Sequence, residues 1–270
     1  MTVLLKPLEL LWRGINRARR ALYRAGILEA KRLPRPVISV GSIAAGGAGK
    51  TPATIAIARF LMARGYKVAV LTRGYGRAGA GGRVEAFDAA KYGDEPVLIR
   101  KATGVEVIVG DNRYRNGLSV NCDVFILDDG FQHLQLARDV DVVIDAPCKW
   151  YREGRSALRH ADFVIPRRLA VRCDAVRGKR IFAFAGLADN EQFFEALRAC
   201  GATLVGTRGF PDHHRYTAAD LAAIRNAEAD LIVTTEKDAV KIDDRDIIAV
   251  PAEMEIAPDV LEAIEARIKR

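Results

Sequence analysis

The residues with the plainest chemical meaning are Gly46, Gly47, Ala48, Gly49, Lys50, Thr51 and Pro52, which close the stretch SVGSIAAGGAGKTP. An apolar, β-rich run leads into a glycine-rich turn, and Lys-Thr then opens a helical pattern. Successive backbone N–H groups and a helix N-terminus face one space in such a turn, which makes it a cradle for phosphates. In this role Lys50 reaches the β- and γ-phosphates of a nucleotide and Thr51 ligates Mg²⁺. The strict pattern asks for glycine at 44, where this chain has Ala44.

A phosphate loop of this kind needs an acidic partner at the end of another buried strand. DVFILDDGFQH supplies one, with four apolar residues running into Asp128 and Asp129. Together the two motifs indicate a Mg-nucleotide site, with ATP as the expected ligand.

The elements that must position these residues can be read from periodicity. After Pro34-Arg35-Pro36, apolar runs alternate with helical patterns: VISVGSI, a helix from Thr51, KVAVLT, a helix over 95–103, VEVIVG, DVFILDD and DVVIDA. Strands that are apolar on both faces belong to a parallel sheet covered by helices, so the fold class is α/β. A second series of strands and helices follows ADFVIPRR and ends in a helix reaching Arg270. The division expected is 1–35, 36–170 and 171–270, with residues 77–83 as a surface loop.

The chain has 270 residues, enough for a large core, and a formal net charge of +8. Residues 1–35 carry nine basic and two acidic side chains, a net +7, so nearly all the excess lies there. On a helix, Leu4, Leu8, Leu11, Ile15 and Leu22 fall on one face, flanked by Leu5 and Trp12, with Lys6, Arg13, Arg17, Arg20 and Arg24 opposite. This segregation suits a helix lying in the surface of an anionic membrane; a helix packed on the domain with a solvated basic back is the other reading. No aromatic interleaving or nucleic-acid motif accompanies the charge, so no nucleic-acid partner is expected. The four cysteines lack C-x-x-C spacing, which argues against a zinc site or a disulfide framework and for a reducing compartment.

More specific motifs follow in order: TRGYGR (72–77), GDEP (93–96), LDDGFQHLQLARDVDVVIDA (127–146), REG (152–154), FAFAGLADNEQFF (182–194), FPDHHRYTAADL (210–221) and VTTEKDAVK (233–241). With the phosphate loop, they resemble the tetraacyldisaccharide 4'-kinase family from about Pro36 to Lys241. The resemblance implies a P-loop NTPase-like domain with a smaller C-terminal α/β subdomain. It also implies transfer of the ATP γ-phosphoryl group, with Mg²⁺, to the 4'-hydroxyl of a tetraacylated disaccharide 1-phosphate, forming lipid IVA at the cytoplasmic face of the inner membrane. No obligate protein partner is implied.

Residue by residue, the resemblance makes Asp94 the catalytic carboxylate and His213 or His214 the histidine paired with it. Read alone, Asp94 is a helix N-cap and the two histidines are a metal pair or a surface turn. Glu153, with Arg152, matches a pair near the metal and phosphates, so the metal set is Thr51, Asp128 and Glu153. Gln132 and His133 fall on the acceptor side, with a core histidine as the other reading of His133. Arg73 and Arg77 are candidate anion contacts, and Asp238 either meets the nucleotide base or caps a helix. His160 reads as structural. Two departures stand out: the passage PCKWYREG is contracted, and Ser42 replaces an asparagine. A kinase for another membrane lipid or sugar would keep the phosphate loop, whereas a membrane-docked guanine-nucleotide switch should show N-K-x-D, which TEKD does not match.

Overall fold

The computed structural model describes residues 6–269 apart from Lys149. Leu4, Leu5 and Arg270 lie outside the described residues, as do the side chains of Lys6 and Leu8. The first sheet is built from β1 (Val37–Gly41), β2 (Val68–Thr72), β3 (Gly82–Arg83), β4 (Glu106–Val109), β5 (Val124–Asp128), β6 (Val140–Asp145) and β7 (Phe163–Pro166). Its order is β3-β4-β2-β5-β1-β6-β7, parallel except for the antiparallel edge strand β3. Strands β1, β2 and β5 are buried along their whole length, which is why their sequences read as unbroken apolar runs. Part of the expected 77–83 surface loop is therefore strand, because Gly82 and Arg83 pair with Val109 and Ile108.

Helices α1 (Lys6–Arg24), α2 (Lys50–Ala63), α3 (Ala89–Tyr92), α4 (Asp94–Thr103) and α5 (Arg113–Leu118) belong to this unit. The second unit comprises β8 (Leu169–Val171), β9 (Arg180–Ala185), β10 (Thr203–Gly209), β11 (Leu231–Thr235), β12 (Ile247–Val250) and β13 (Ala252–Met254). With them come α6 (Glu191–Ala199), α7 (Ala218–Arg225), α8 (Glu236–Ala239) and α9 (Pro258–Ile268). Strands β10-β9-β11-β12 form a parallel sheet. Ile181, Ala183, Phe193 and Leu197 fill one side of it, and Phe184, Phe210 and Ile224 the other.

Two features differ from the sequence reading. Met254, Ile264 and Ile268 join the core of the first unit together with Leu61 and Val68, so the chain crosses back and α9 packs on α2 and β6. The crossing is a ribbon in which β8 pairs antiparallel with β13, Val171 opposite Ala252 and Leu169 opposite Met254. Secondly, Cys173 and Cys200 form a disulfide, contrary to the expected absence of a disulfide framework. They are 27 residues apart, and the fold, not any local spacing, brings their Cα atoms to 5.1 Å.

Helix α1 docks through its polar side. Asn16 and Arg20 are buried, while Leu10, Leu11, Trp12, Ile15 and Leu22 are exposed, Leu10 to 64% and Leu11 to 61%. The basic face is thus only partly solvated, since the domain offers Arg20 a buried carboxylate. Among the described residues no helix is long and apolar enough to cross a membrane.

Candidate active site

Parallel pairing of β1 with β5 sets Val40 level with Asp128, so the turn leaving β1 and the acidic pair leaving β5 open on the same edge of the sheet. Ligands of open α/β sheets bind outside such carboxyl ends. Gly46, Gly47 and Gly49 have φ of 74°, 57° and 82°, the left-handed region that glycine enters without strain. Gly49 is the N-cap of α2 and makes no side-chain cap hydrogen bond, and Lys50, Thr51 and Pro52 form the first turn. Ala48 is buried beside Ala44 and Ala146, so alanine at 44 packs where the strict pattern has glycine. Ser42 also has a use here: its hydroxyl donates to Ile144 O at 2.8 Å and accepts from Ala44 N–H at 3.0 Å, tying the loop's entry to β6. The contracted passage runs along the same entry, with Ala45 N–H donating to Trp150 O and Arg152 N–H to Ile43 O.

Asp128 is 1% exposed and accepts from Thr54 Oγ1 at 2.9 Å and Thr72 Oγ1 at 3.1 Å. Burial, with Glu95 and Asp129 nearby, pushes its carboxyl up to about 7. Asp129, at φ 50°, is half-buried, and Lys50 and Arg152 hold it down at about 2. Arg152 Nη1 donates to both its oxygens at 2.8 and 2.9 Å, and Lys50 Nζ lies 3.5 Å away. Glu95 is raised by burial despite the charges of Lys237 and Lys50. Three neighbouring carboxylates, one of them fully buried and raised by the other two, suit a divalent cation that would relieve their repulsion. Among the described residues no three His, Cys, Asp or Glu side chains form a metal cage. Magnesium in phosphate sites takes one or two carboxylates and completes its shell with phosphate oxygens and water, so the donor set fits.

Between the two units, Asp94 and His213 meet in the wall of a cleft of about 630 Å³. His213 Nδ1 is 2.9 Å from Asp94 Oδ2 and 3.1 Å from Oδ1. Burial raises the Asp94 carboxyl, but the hydrogen bond to His213 and the charges of Lys237 and Lys241 outweigh it and hold it below the ordinary value. His213 is raised, chiefly by that same bond. Asp94 is not the N-cap of α4, because Gly93 holds that position and Asp94 opens the first turn. His214 turns the other way, bonding Asp220 at 3.1 Å and stacking on Phe210.

The other candidates separate. Asp238 is fully buried, accepts from Gly186 N–H and the Thr235 hydroxyl, and completes the start of α8. The cap of α8 is Thr235, whose hydroxyl accepts from Asp238 N–H, and Lys241 Nζ bonds the Asp238 carboxylate at 2.7 Å. Glu153 is bonded by Arg20 through both oxygens, at 2.9 to 3.2 Å, and by Gln132 Nε2 at 3.0 Å, so its charge is already compensated. Arg73 and Arg77 both face Asp111, Arg73 exposed at 3.6 Å and Arg77 at 3.0 Å. His133 accepts from Arg113 Nη1 at 2.7 Å; burial and the charges of Arg113 and Arg138 push it down to about 3, so it is a neutral acceptor.

Several residues went unassigned in the sequence: Glu95, Arg113, Arg167, Lys237 and Lys241. Lys237 donates to Asp212 at 2.8 Å and lies 3.9 Å from Asp94; Lys241 lies 4.0 Å from Asp94. Arg113 and Arg167 each keep a buried Nε without a partner. Arg167 lies against the phosphate loop, where a Cβ on Gly49 would be 3.6 Å from its Cγ. Lys237 was legible in principle, as the charged neighbour of Asp238 within TEKDA. The arginines carry no local signal.

The family model for tetraacyldisaccharide-1-P 4'-kinase matches residues 1–168 and 152–269. The chain belongs to this family. Tetraacyldisaccharide 4'-kinase of Pelobacter propionicus is 38% identical over 88% of this chain and 82% of its own length. That of an Acidovorax species is 35% identical, with coverages of 99% and 91%. The crystal structure of LpxK from Aquifex aeolicus in complex with ATP superposes with a TM-score of 0.82 at 28% identity, covering 99% of both chains. Within the tetraacyldisaccharide 4'-kinase family, then, this chain has the phosphate loop and the acidic pair at one edge of its sheet, with Glu95, next to Asp94, in the field of both Lys50 and Lys237.

Proposed function

We propose that this chain transfers the γ-phosphoryl group of ATP to the 4'-hydroxyl of a tetraacylated glucosamine disaccharide 1-phosphate, forming lipid IVA, and does so from the cytoplasmic face of the inner membrane. The observation that carries the reading is the Asp94–His213 pair, whose neighbour Glu95 lies in the field of both Lys50 of the phosphate loop and Lys237, in a chain related along most of its length to tetraacyldisaccharide 4'-kinases.

The loop's backbone N–H groups and Lys50 hold the β- and γ-phosphates, and Thr51 with Asp128 would hold Mg²⁺, which supplies neutralising charge to the phosphate oxygens. Asp94 accepts the proton of the acceptor hydroxyl as its oxygen bonds to phosphorus, and ADP departs. His213 acts through Asp94, fixing its orientation and keeping it ionised; Lys237 and Lys241 add to that field. Arg167, with an unused donor beside the loop, is placed on the phosphates. Arg73, Arg113, Arg152, Gln132 and His133 are assigned to the acceptor side, and Glu153 braces α1 rather than the metal. The outward apolar face of α1 meets the bilayer, where an acylated acceptor resides.

The deciding experiment is transfer from γ-labelled ATP to tetraacyldisaccharide 1-phosphate in detergent micelles. A 4'-phosphorylated product is expected. No product from folded, ATP-binding protein would overturn the reading.

A further inference from the structure

A second cavity, of about 540 Å³, lies between α1 and the 3-10 turn Arg155–His160, and it shares no lining residue with the Asp94 cleft. Arg13, Arg17, Arg20, Arg24, Arg159 and His160 surround it, with Glu153 as its one carboxylate. Arg20 is already paired with Glu153, and Arg13 with Glu9. Among the described residues, Arg17, Arg24 and Arg159 have no carboxylate within 4.0 Å.

His160 shows the imbalance. Arg24 Nη1 is 3.5 Å from its Nδ1, and Arg159 Nε is 3.4 Å from its Nε2. A neutral imidazole has one acceptor nitrogen and one N–H, so it satisfies one guanidinium and opposes the other. Nor does it gain by protonating: burial and the charges of Arg20, Arg24 and Arg159 hold its pKa below the ordinary value. The cavity is rich in donors and its carboxylate, Glu153, is already taken by Arg20 and Gln132, the condition under which guanidinium groups bind phosphate oxygens, often two at a time.

The surroundings select among phosphates. Leu10 lines the cavity, and Leu11 and Ile15 continue an exposed apolar strip along the same helix. A phosphate attached to acyl chains matches both halves of this surface, whereas inorganic phosphate matches only one.

We propose that the cavity between α1 and Arg155–His160 binds the phosphate head group of an anionic glycerophospholipid through Arg17, Arg24 and Arg159. This site rests on the membrane-facing reading of α1 and lies apart from the phosphoryl-transfer cleft. It makes bilayer composition, and not apolar contact alone, a determinant of docking.

The test compares wild type, Arg17→Gln/Arg159→Gln and a charge-matched control, Lys179→Gln/Arg245→Gln, in the second unit. The first readout is flotation with phosphatidylcholine vesicles containing or lacking phosphatidic acid. Phosphatidic acid should strengthen wild-type and control binding, with the cavity variant losing about tenfold or more of that gain. The second readout is the ¹⁵N resonance of the His160 ring during titration with dihexanoyl phosphatidic acid, dihexanoyl phosphatidylcholine or inorganic phosphate. Only the first should shift it, and should raise its pKa.

An undiminished gain in the cavity variant, or an unmoved His160, overturns the proposal. An equal shift with inorganic phosphate assigns the cavity to free phosphate and overturns it as well. A raised acceptor KM for the cavity variant in neutral micelles free of phospholipid would assign the cavity to the acceptor's own phosphate, and the proposal would fall with it. If wild type binds neither vesicle, the membrane reading of α1 fails, and the soluble short-chain titration still decides the cavity.

Discussion

Asp94 and His213 stand 119 residues apart in the chain and 2.9 Å apart in space, one at the start of α4 and the other in a left-handed turn at φ 60°. The bond spans the two units, so the pair exists only while they face each other.

Asp94→Asn should lower kcat by about 10²–10⁴-fold, the range expected for loss of a positioned base. His213→Gln should act differently. Asp94 is held down by His213, so its pKa rises in the variant and the acid limb of the kcat profile moves to higher pH. The ion pair is fully formed below the ordinary histidine pKa and fades as pH climbs through the raised His213 value. On the acid side it fades as pH falls through the depressed Asp94 value. A pH–rate profile for His213→Gln superimposable on that of wild type would refute this coupling.

Burial raises Asp128 to about 7, so protons should compete with Mg²⁺ at that carboxylate. Affinity for Mg-nucleotide should fall by up to about tenfold per pH unit below that value, with proton release on binding near pH 6. Titration calorimetry in two buffers of different ionisation enthalpy measures the release. Buffer-independent heats would remove Asp128 from the metal set.

Arg20 is bound to Glu153 by three contacts, donates to Phe131 O at 3.2 Å and lies over the Phe131 ring. Cutting one side of a buried pair strands a charge, at a cost of about 3–5 kcal/mol. Arg20→Met should therefore destabilise strongly, and Glu153→Gln added to it should recover much of the loss. Urea melts and a double-mutant cycle test this, with additive effects counting against the strut.

Gly49→Ala meets two obstacles, a φ of 82° and a Cβ only 2.7 Å from Met254 Cε. The methionine end can turn aside, but the backbone cannot relax without rotating N–H groups away from the phosphates. A left-handed alanine costs about 1–2 kcal/mol, so ATP affinity should drop roughly tenfold. Equilibrium binding of labelled ATP at wild-type strength would show that the loop has another way to hold its shape.

Thiol titration of the unfolded, unreduced protein should find the two free cysteines Cys122 and Cys148 of the four in the sequence. Four reactive thiols would deny the Cys173–Cys200 bridge. With the bridge present, Cys173→Ser should lose about 2–4 kcal/mol of stability.

What could be read in the sequence was local. The phosphate loop declares itself because its glycines, Lys50 and Thr51 are contiguous, and Asp128 because a buried strand runs straight into it. Asp94 and His213 came from resemblance, since neither motif names its partner. Arg20–Glu153 spans 133 positions and Arg113–His133 spans 20, with no periodicity linking either pair. The amphipathic pattern of α1 was legible, but its orientation was not: the wheel shows two faces and cannot say that a buried Glu153 awaits the basic one. The final helix was likewise evident as a helix and silent about which unit it covers.

That final helix changes how the chain can be cut. Because α9 packs on the first unit, residues between β8 and β13 are an insertion in a loop, entered and left through one two-stranded ribbon. A stop codon after the first sheet would strip the kinase core of its own covering helix. The dissection that respects the architecture excises the segment from about 172 to 251 and joins the ribbon's two strands by a short turn.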